Sequence, residues 1–124
     1  MATAVNAKVI MAKCSQTQRA FGIRIEQRGA EWVRTWTFPL DEGKARREGY
    51  SAKSTVLLRG EPDSGYPGCP HCRDGGIVQC ACGKIGCAGG VQETSKGEKY
   101  SCPWCGNEGE LEFSDSLDVA GGSL

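Results

Sequence analysis

Residues 69–87 read CPHCRDGGIVQCACGKIGC, and residues 100–106 read YSCPWCG. A Cys-Pro-X-Cys tetrapeptide can be a redox pair, half of a metal cage or part of a disulfide staple, and each choice asks for a different fold. A thioredoxin-type pair needs its first cysteine at a helix N-terminus, where the dipole lowers the thiol pKa. Here RDGGIVQC follows Cys72 and GNEGELEF follows Cys105. Both stretches are too rich in glycine for a helix, and no βαβ pattern surrounds them. A metal knuckle suits the sequence better. In a knuckle the backbone turns tightly between two cysteines so that both sulfurs face one ion. A glycine after the second cysteine admits positive φ, and Gly83 and Gly106 stand in that place; Arg73 stands there after Cys72.

Working outward, the string is Cys69-x2-Cys72-x7-Cys80-x-Cys82-x4-Cys87-x14-Cys102-x2-Cys105, with Cys14 far upstream. Strand-like stretches enter and leave the turns: GIVQC (76–80) and EKYSC (98–102) before them, GKIGC (83–87) and GELEF (109–113) after. Strand, knuckle, strand is the unit of a zinc ribbon. Eight cysteines would make two complete four-sulfur sites if Cys14 joins in. The preferred pairing is interleaved: Cys80 and Cys82 with Cys102 and Cys105, the two knuckles joined by a hairpin through Ile85 and Tyr100. Cys69, Cys72 and Cys87 then form a second site, completed by Cys14 or else by His71, the chain's single histidine. The competing scheme pairs Cys69 and Cys72 with Cys102 and Cys105. Sulfur ligands select zinc, with iron as the competitor. A RING-type cross-brace would place its eighth ligand within the finger, and CAGG (87–90) does not supply one.

The remaining sequence frames these sites. The chain has 124 residues, of which 39% are hydrophobic and 7% aromatic, so one domain with a modest core is expected, in need of a staple. Clustered cysteines without a signal peptide or a long apolar run point to a cytoplasmic, metal-binding protein rather than a disulfide scaffold. Residues 8–60 read as a β-rich part. Phe21, Ile23 and Ile25 alternate with Arg24 and Glu26, and EWVRTWTFPL (31–40) alternates as well. Trp32, Trp36 and Phe38 are expected to pack in the core rather than to stack on bases. LDEGKARREGY (40–50) predicts a short helix with Asp41 as its N-cap. GEPDSGYPG (60–68) reads as a loop leading into a zinc-ribbon part at 66–113. His71 reads as a solvated turn residue. The domain is expected to span 1–113, with 114–124 a disordered tail. The fold class is thus a small β-rich α+β domain: an N-terminal antiparallel sheet with one short helix, packed on a double-knuckle module.

YPGCPHC (66–72), VQCACGKIGC (78–87), YSCPWCG (100–106) and the upstream KCSQTQRAFGIRIEQ (13–27) and WVRTWTFPLDEGKARREGY (32–50) resemble the TerY-C metal-binding domain. The resemblance implies a module of bacterial TerY-like proteins, often following a von Willebrand factor A domain. Such proteins belong to tellurite-resistance, stress or phage-defence systems, alongside a protein kinase and a PP2C-type phosphatase. The implied role is protein–protein interaction, and the A domain's own Asp-x-Ser-x-Ser motif is absent from this chain. Each site has four protein ligands and leaves no open coordination position, and no Ser-His-Asp set is present, so a non-catalytic adaptor holding two zinc ions is expected. The formal charge is +6 over residues 1–60 (eleven Lys/Arg, five Asp/Glu) and −6 over 61–124 (four against ten). The basic half raises a second reading, a nucleic-acid-binding ribbon using Arg19, Arg24, Arg28, Arg34, Arg46 and Arg47.

Overall fold

The computed structural model describes residues 6–41, 43, 54–95, 97–111 and 116–123. Four strands precede the cysteine cluster: β1 (Ala7–Lys13), β2 (Ala20–Arg28), β3 (Glu31–Pro39) and β4 (Ser54–Arg59). Then come β5 (Ile77–Gln79), β6 (Ile85–Cys87), β7 (Gln92–Thr94), β8 (Gly97–Ser101), β9 (Glu108–Glu110) and β10 (Ser116–Ser123), with a 3-10 turn at Ala88–Gly90.

The alternation along β2 does what a period of two dictates. Phe21, Ile23 and Ile25 are fully buried, while Arg24 and Glu26 lie on the other face. β1 and β3 pair antiparallel with β2 on its two sides. β3 carries an irregularity opposite Arg24 and Ile25, where Trp36 and then Arg34 are the partners and Thr35 is left over. Such a bulge tightens twist and lets a sheet curl. The sheet curls until it closes. β3 meets β4 in parallel at Trp32 and Leu58, β4 pairs antiparallel with β10, and β10 returns to β1 at Lys8 and Val9. The result is a ring of five strands, β1-β2-β3-β4-β10, filled by Ile10, Phe21, Ile23, Ile25, Trp32 and Leu58. Each such side chain contributes about 1.5–3 kcal/mol by burial.

β1 is forked along its outer edge. Its first half takes β10, and its second half takes β6 in parallel, with Ala12 opposite Ile85 and Lys13 opposite Gly86. β5 hairpins onto β6. β7, β8 and β9 form a separate three-stranded antiparallel sheet.

Several expectations change. Residues 116–123 are not a disordered tail: they form the strand that closes the ring. Their small residues, VAGGS, suit a strand that must pass between β4 and β1. The hairpins flanking the knuckles at 80–83 and 102–106 lie in different sheets rather than in one ribbon, because β6 is captured by β1. Ile85 and Tyr100 accordingly do not share a hairpin. Of the three aromatics assigned to the core, Trp32 is there, Trp36 is 53% exposed on the outer face, and Phe38 lies over Gly22. The helix expected over 40–50 lies outside the described residues, apart from positions 40, 41 and 43. Among the described residues no helix is long and apolar enough to cross a membrane.

Gly22 leaves room for Phe38: a Cβ there would sit 2.5 Å from the ring. Gly22→Ala is expected to lower unfolding free energy by about 1–3 kcal/mol through overpacking. Urea denaturation of the metal-loaded protein measures this, and adding Phe38→Leu should restore part of the loss.

Candidate metal centres

The forked edge of β1 builds the first centre. Because β1 and β6 run parallel in register, the residues that follow each pairing, Cys14 and Cys87, come side by side, with their sulfurs 3.9 Å apart. The turn 69–74 adds Cys69 and Cys72, the latter 3.5 Å from Cys87. Cys80 and Cys82, in the turn between β5 and β6, meet Cys102 and Cys105, in the turn between β8 and β9. There Cys80 and Cys105 are 3.6 Å apart, and Cys82 and Cys102 are 3.9 Å apart. Within each tetrad all four sulfurs lie within 4.8 Å of one another. The sulfurs are thus grouped as in the interleaved scheme and not as in its competitor.

These distances carry a chemical message. A disulfide holds sulfurs at about 2.05 Å, and all eight cysteines are free. Four sulfurs at about 2.3 Å from a tetrahedral ion are about 3.8 Å apart. The observed separations of 3.5–3.9 Å bracket that value. Both donor sets fit a thiophilic divalent ion and close its coordination.

Four backbone turns present seven of these sulfurs, and three of the turns share one geometry. In the turn 69–74, Cys69 N–H donates to Asp74 O (2.8 Å) and Arg73 N–H to Cys69 O (2.7 Å). In the turn 102–107, Cys102 N–H donates to Asn107 O and Gly106 N–H to Cys102 O, both 2.9 Å. The turn 80–84 is one residue shorter, with Cys80 N–H to Lys84 O (3.0 Å) and Gly83 N–H to Cys80 O (2.8 Å). The fourth turn starts at Cys14, where Cys14 N–H donates to Arg19 O (2.9 Å) and Gln18 N–H to Cys14 O (2.8 Å). Each turn needs one left-handed residue: Arg73 (φ 67°), Gly106 (78°), Gly83 (87°) and Gln18 (61°). Residues 14–19 are therefore a knuckle with Thr17 where the second cysteine would stand. The Thr17 hydroxyl accepts the Arg19 N–H at 3.3 Å, as the sulfur of Cys72 accepts from Asp74 and that of Cys105 from Asn107. Cys87 supplies the missing corner.

Sequence reasoning passed over several supports. Ser15 donates its N–H to the Cys87 sulfur at 3.2 Å, with its hydroxyl at the same distance, and that hydroxyl also accepts the Gly90 N–H. The Tyr100 hydroxyl donates to the Cys87 carbonyl (3.1 Å), and Trp104 Nε1–H donates to Ile85 O (2.7 Å). Lys13 and Lys84 each place an ammonium 4.4 Å from the Trp104 ring. Arg34 is buried, donates to Gly75 O and Gly60 O, and stacks on Tyr66. His71 is not in either tetrad. It is half-buried rather than solvated, and its Nε2 lies 3.0 Å from the Ala20 carbonyl, which only accepts, so that nitrogen carries the proton.

The thiols divide electrostatically. Burial raises the Cys14 thiol, but the Thr17 hydroxyl and the N–H groups of Thr17 and Gln16 outweigh it and bring it down to about 6. Burial likewise opposes Cys102, which the N–H groups of Cys105 and Trp104 bring down to about 7. Burial pushes Cys69 well up and Cys72 up to about 11. Four thiolates at this spacing repel one another unless a cation sits among them.

The TerY-C metal binding domain is the family model that matches, over residues 35–123. The chain belongs to the TerY-C family. The match takes in β10 and seven of the eight cysteines; β1, β2 and Cys14 precede it. No curated protein and no solved structure matches the chain. In this TerY-C domain the last corner of the first tetrad comes from outside the matched segment.

Cys14→Ser is expected to remove one metal and leave the second tetrad loaded, so native mass spectrometry should count one ion fewer. Cys69 and Cys72 lie above their ordinary value and are protonated at pH 7, so the first tetrad must shed at least two protons per ion bound. Affinity there should fall as pH falls, and titration calorimetry in buffers of different ionisation enthalpy counts the protons.

Proposed function

We propose that this TerY-C domain is a non-catalytic, zinc-stapled adaptor that docks a protein partner in a bacterial stress-signalling system, tellurite-resistance-like or phage-defence. The carrying observation is that both centres are made from four protein sulfurs each. A closed tetrathiolate site offers no position to water or substrate and works by holding the chain in shape. Sulfur-only ligation favours zinc over harder divalent ions.

Charge supports docking. The sheet β7-β8-β9 carries Glu93, Glu98, Glu108 and Glu110 against Lys99. A loaded tetrathiolate centre beside it adds negative charge, so a partner with a basic face is favoured. By the family resemblance, the partner is a von Willebrand factor A domain protein, a kinase or a PP2C-type phosphatase, met in the cytoplasm. The nucleic-acid reading loses support at its arginines. Arg34 is buried, Arg24 and Arg28 are paired with Glu26 and Asp63, and Arg19 is exposed; Arg46 and Arg47 lie outside the described residues. Trp36 beside Arg24 is what remains of a stacking face.

Elemental analysis of protein expressed in zinc-containing medium should give two zinc ions per chain. Calorimetry against the three purified partner classes should give a complex with one of them. Absence of any such complex, together with salt-sensitive retardation of DNA or RNA in a gel, would favour the nucleic-acid reading instead.

A further inference from the structure

The two tetrads are built alike and buried differently. Cys14, Cys69 and Cys87 of the first are fully buried and belong to the core cluster. In the second only Cys102 is buried; Cys82 and Cys105 are exposed and Cys80 is half-buried. Both tetrads receive backbone N–H donors, Cys102 taking those of Trp104 and Cys105 in the second, and the first adds the hydroxyls of Ser15 on Cys87 and Thr17 on Cys14. Hydrogen bonds of this kind draw charge from a thiolate and blunt its reactivity, while exposure admits reagents.

They also hold different things. The first tetrad ties the ends of β1 and β6 to the turn 69–74, within the sheet that makes the ring. The second ties the β5–β6 turn to the β8–β9 turn, across two sheets that share no strand pairing among the described residues. Between them runs a cleft of about 330 Å³ lined by Val78, Tyr100 and Leu111, with Glu108 and Glu110 along it. Beyond the tetrad, the small sheet and its turn are fastened here by the hydrogen bonds of Tyr100 to Cys87 O and Trp104 to Ile85 O, and by Lys13 and Lys84 over the Trp104 ring.

We propose that the second tetrad is a releasable latch: its ion exchanges and its outer thiolates react while the first tetrad stays closed, and its loss frees β7-β8-β9 from the ring and opens the Val78–Leu111 cleft. The latch rests on the reading that both tetrads hold metal. It makes the acidic sheet a movable part of the adaptor, fixed when zinc is present and free when a soft electrophile or a competing chelator has taken the latch.

The protein loaded with two zinc ions, counted by native mass spectrometry, is treated with iodoacetamide. Each reacting thiolate displaces iodide and becomes a thioether, and peptide mapping follows each cysteine over time. Cys82 and Cys105 should react at least about tenfold faster than Cys14, Cys69 and Cys87. One zinc ion should appear on a chromophoric chelator in step with them. Hydrogen exchange should then quicken in residues 97–110 and stay slow in 7–39. A Cys82→Ser, Cys105→Ser double variant should keep one zinc ion and the slow exchange of 7–39. Equal reaction of the two tetrads, joint loss of both ions, or continued protection of 97–110 after one ion has left overturns the latch alone. Fewer than two ions at the start overturns the two-metal reading with it.

Discussion

Eight thiols crowded into two small volumes set the terms for everything else in this molecule. Sulfurs 3.5–3.9 Å apart attract one another only weakly as thiols, and as thiolates they repel. A cation among them reverses the sign. The free energy of binding structural zinc, about 10–16 kcal/mol at neutral pH, matches or exceeds the whole net stability of an ordinary domain, about 5–15 kcal/mol. For a chain with a modest core, a structural ion of this kind would contribute as much stability as burial does. The ring core of isoleucines, one phenylalanine, one tryptophan and one leucine shapes the barrel, and the first tetrad fixes where β6 lies against it.

The metal centres were more legible than the fold around them. Cysteine spacing is a covalent fact, and the glycines after Cys82 and Cys105 mark turns that need a left-handed residue. Strands β2 and β3 were readable because their residues alternate in sequence. β10 was not: VAGGS has neither bulk nor pattern, and its place follows from pairing with β4 and β1, which no local signal encodes. The capture of β6 by β1 is likewise a tertiary event. One signal was present and passed over. CSQTQR aligns with CPHCRD and CPWCGN once Thr17 is allowed in the place of a cysteine and Gln18 in the place of Arg73 or Gly106. Turn geometry, not ligand count, is what the three share.

Trp36 shows why an aromatic at strand spacing need not be core. The bulge at Thr35 shifts the register of β3, so Trp32 points inward while Trp36 falls opposite Arg24 on the outer face. Phe38, two residues on, is covered only because Gly22 makes room for it.

The parallel pairing of β1 with β6 also has a consequence in time. Cys14 is synthesised well before its neighbour Cys87, which lies 73 positions later. The first centre cannot be completed until residue 87 has emerged, the second waits for Cys105, and the ring waits for β10. The contacts that complete the two centres and the ring are long in sequence, so the nascent domain carries open thiols until its second half has been made. Folding of the domain is then coupled to the supply of metal once its last strand has been made, and a cell short of it would accumulate domains that are fully synthesised and not folded.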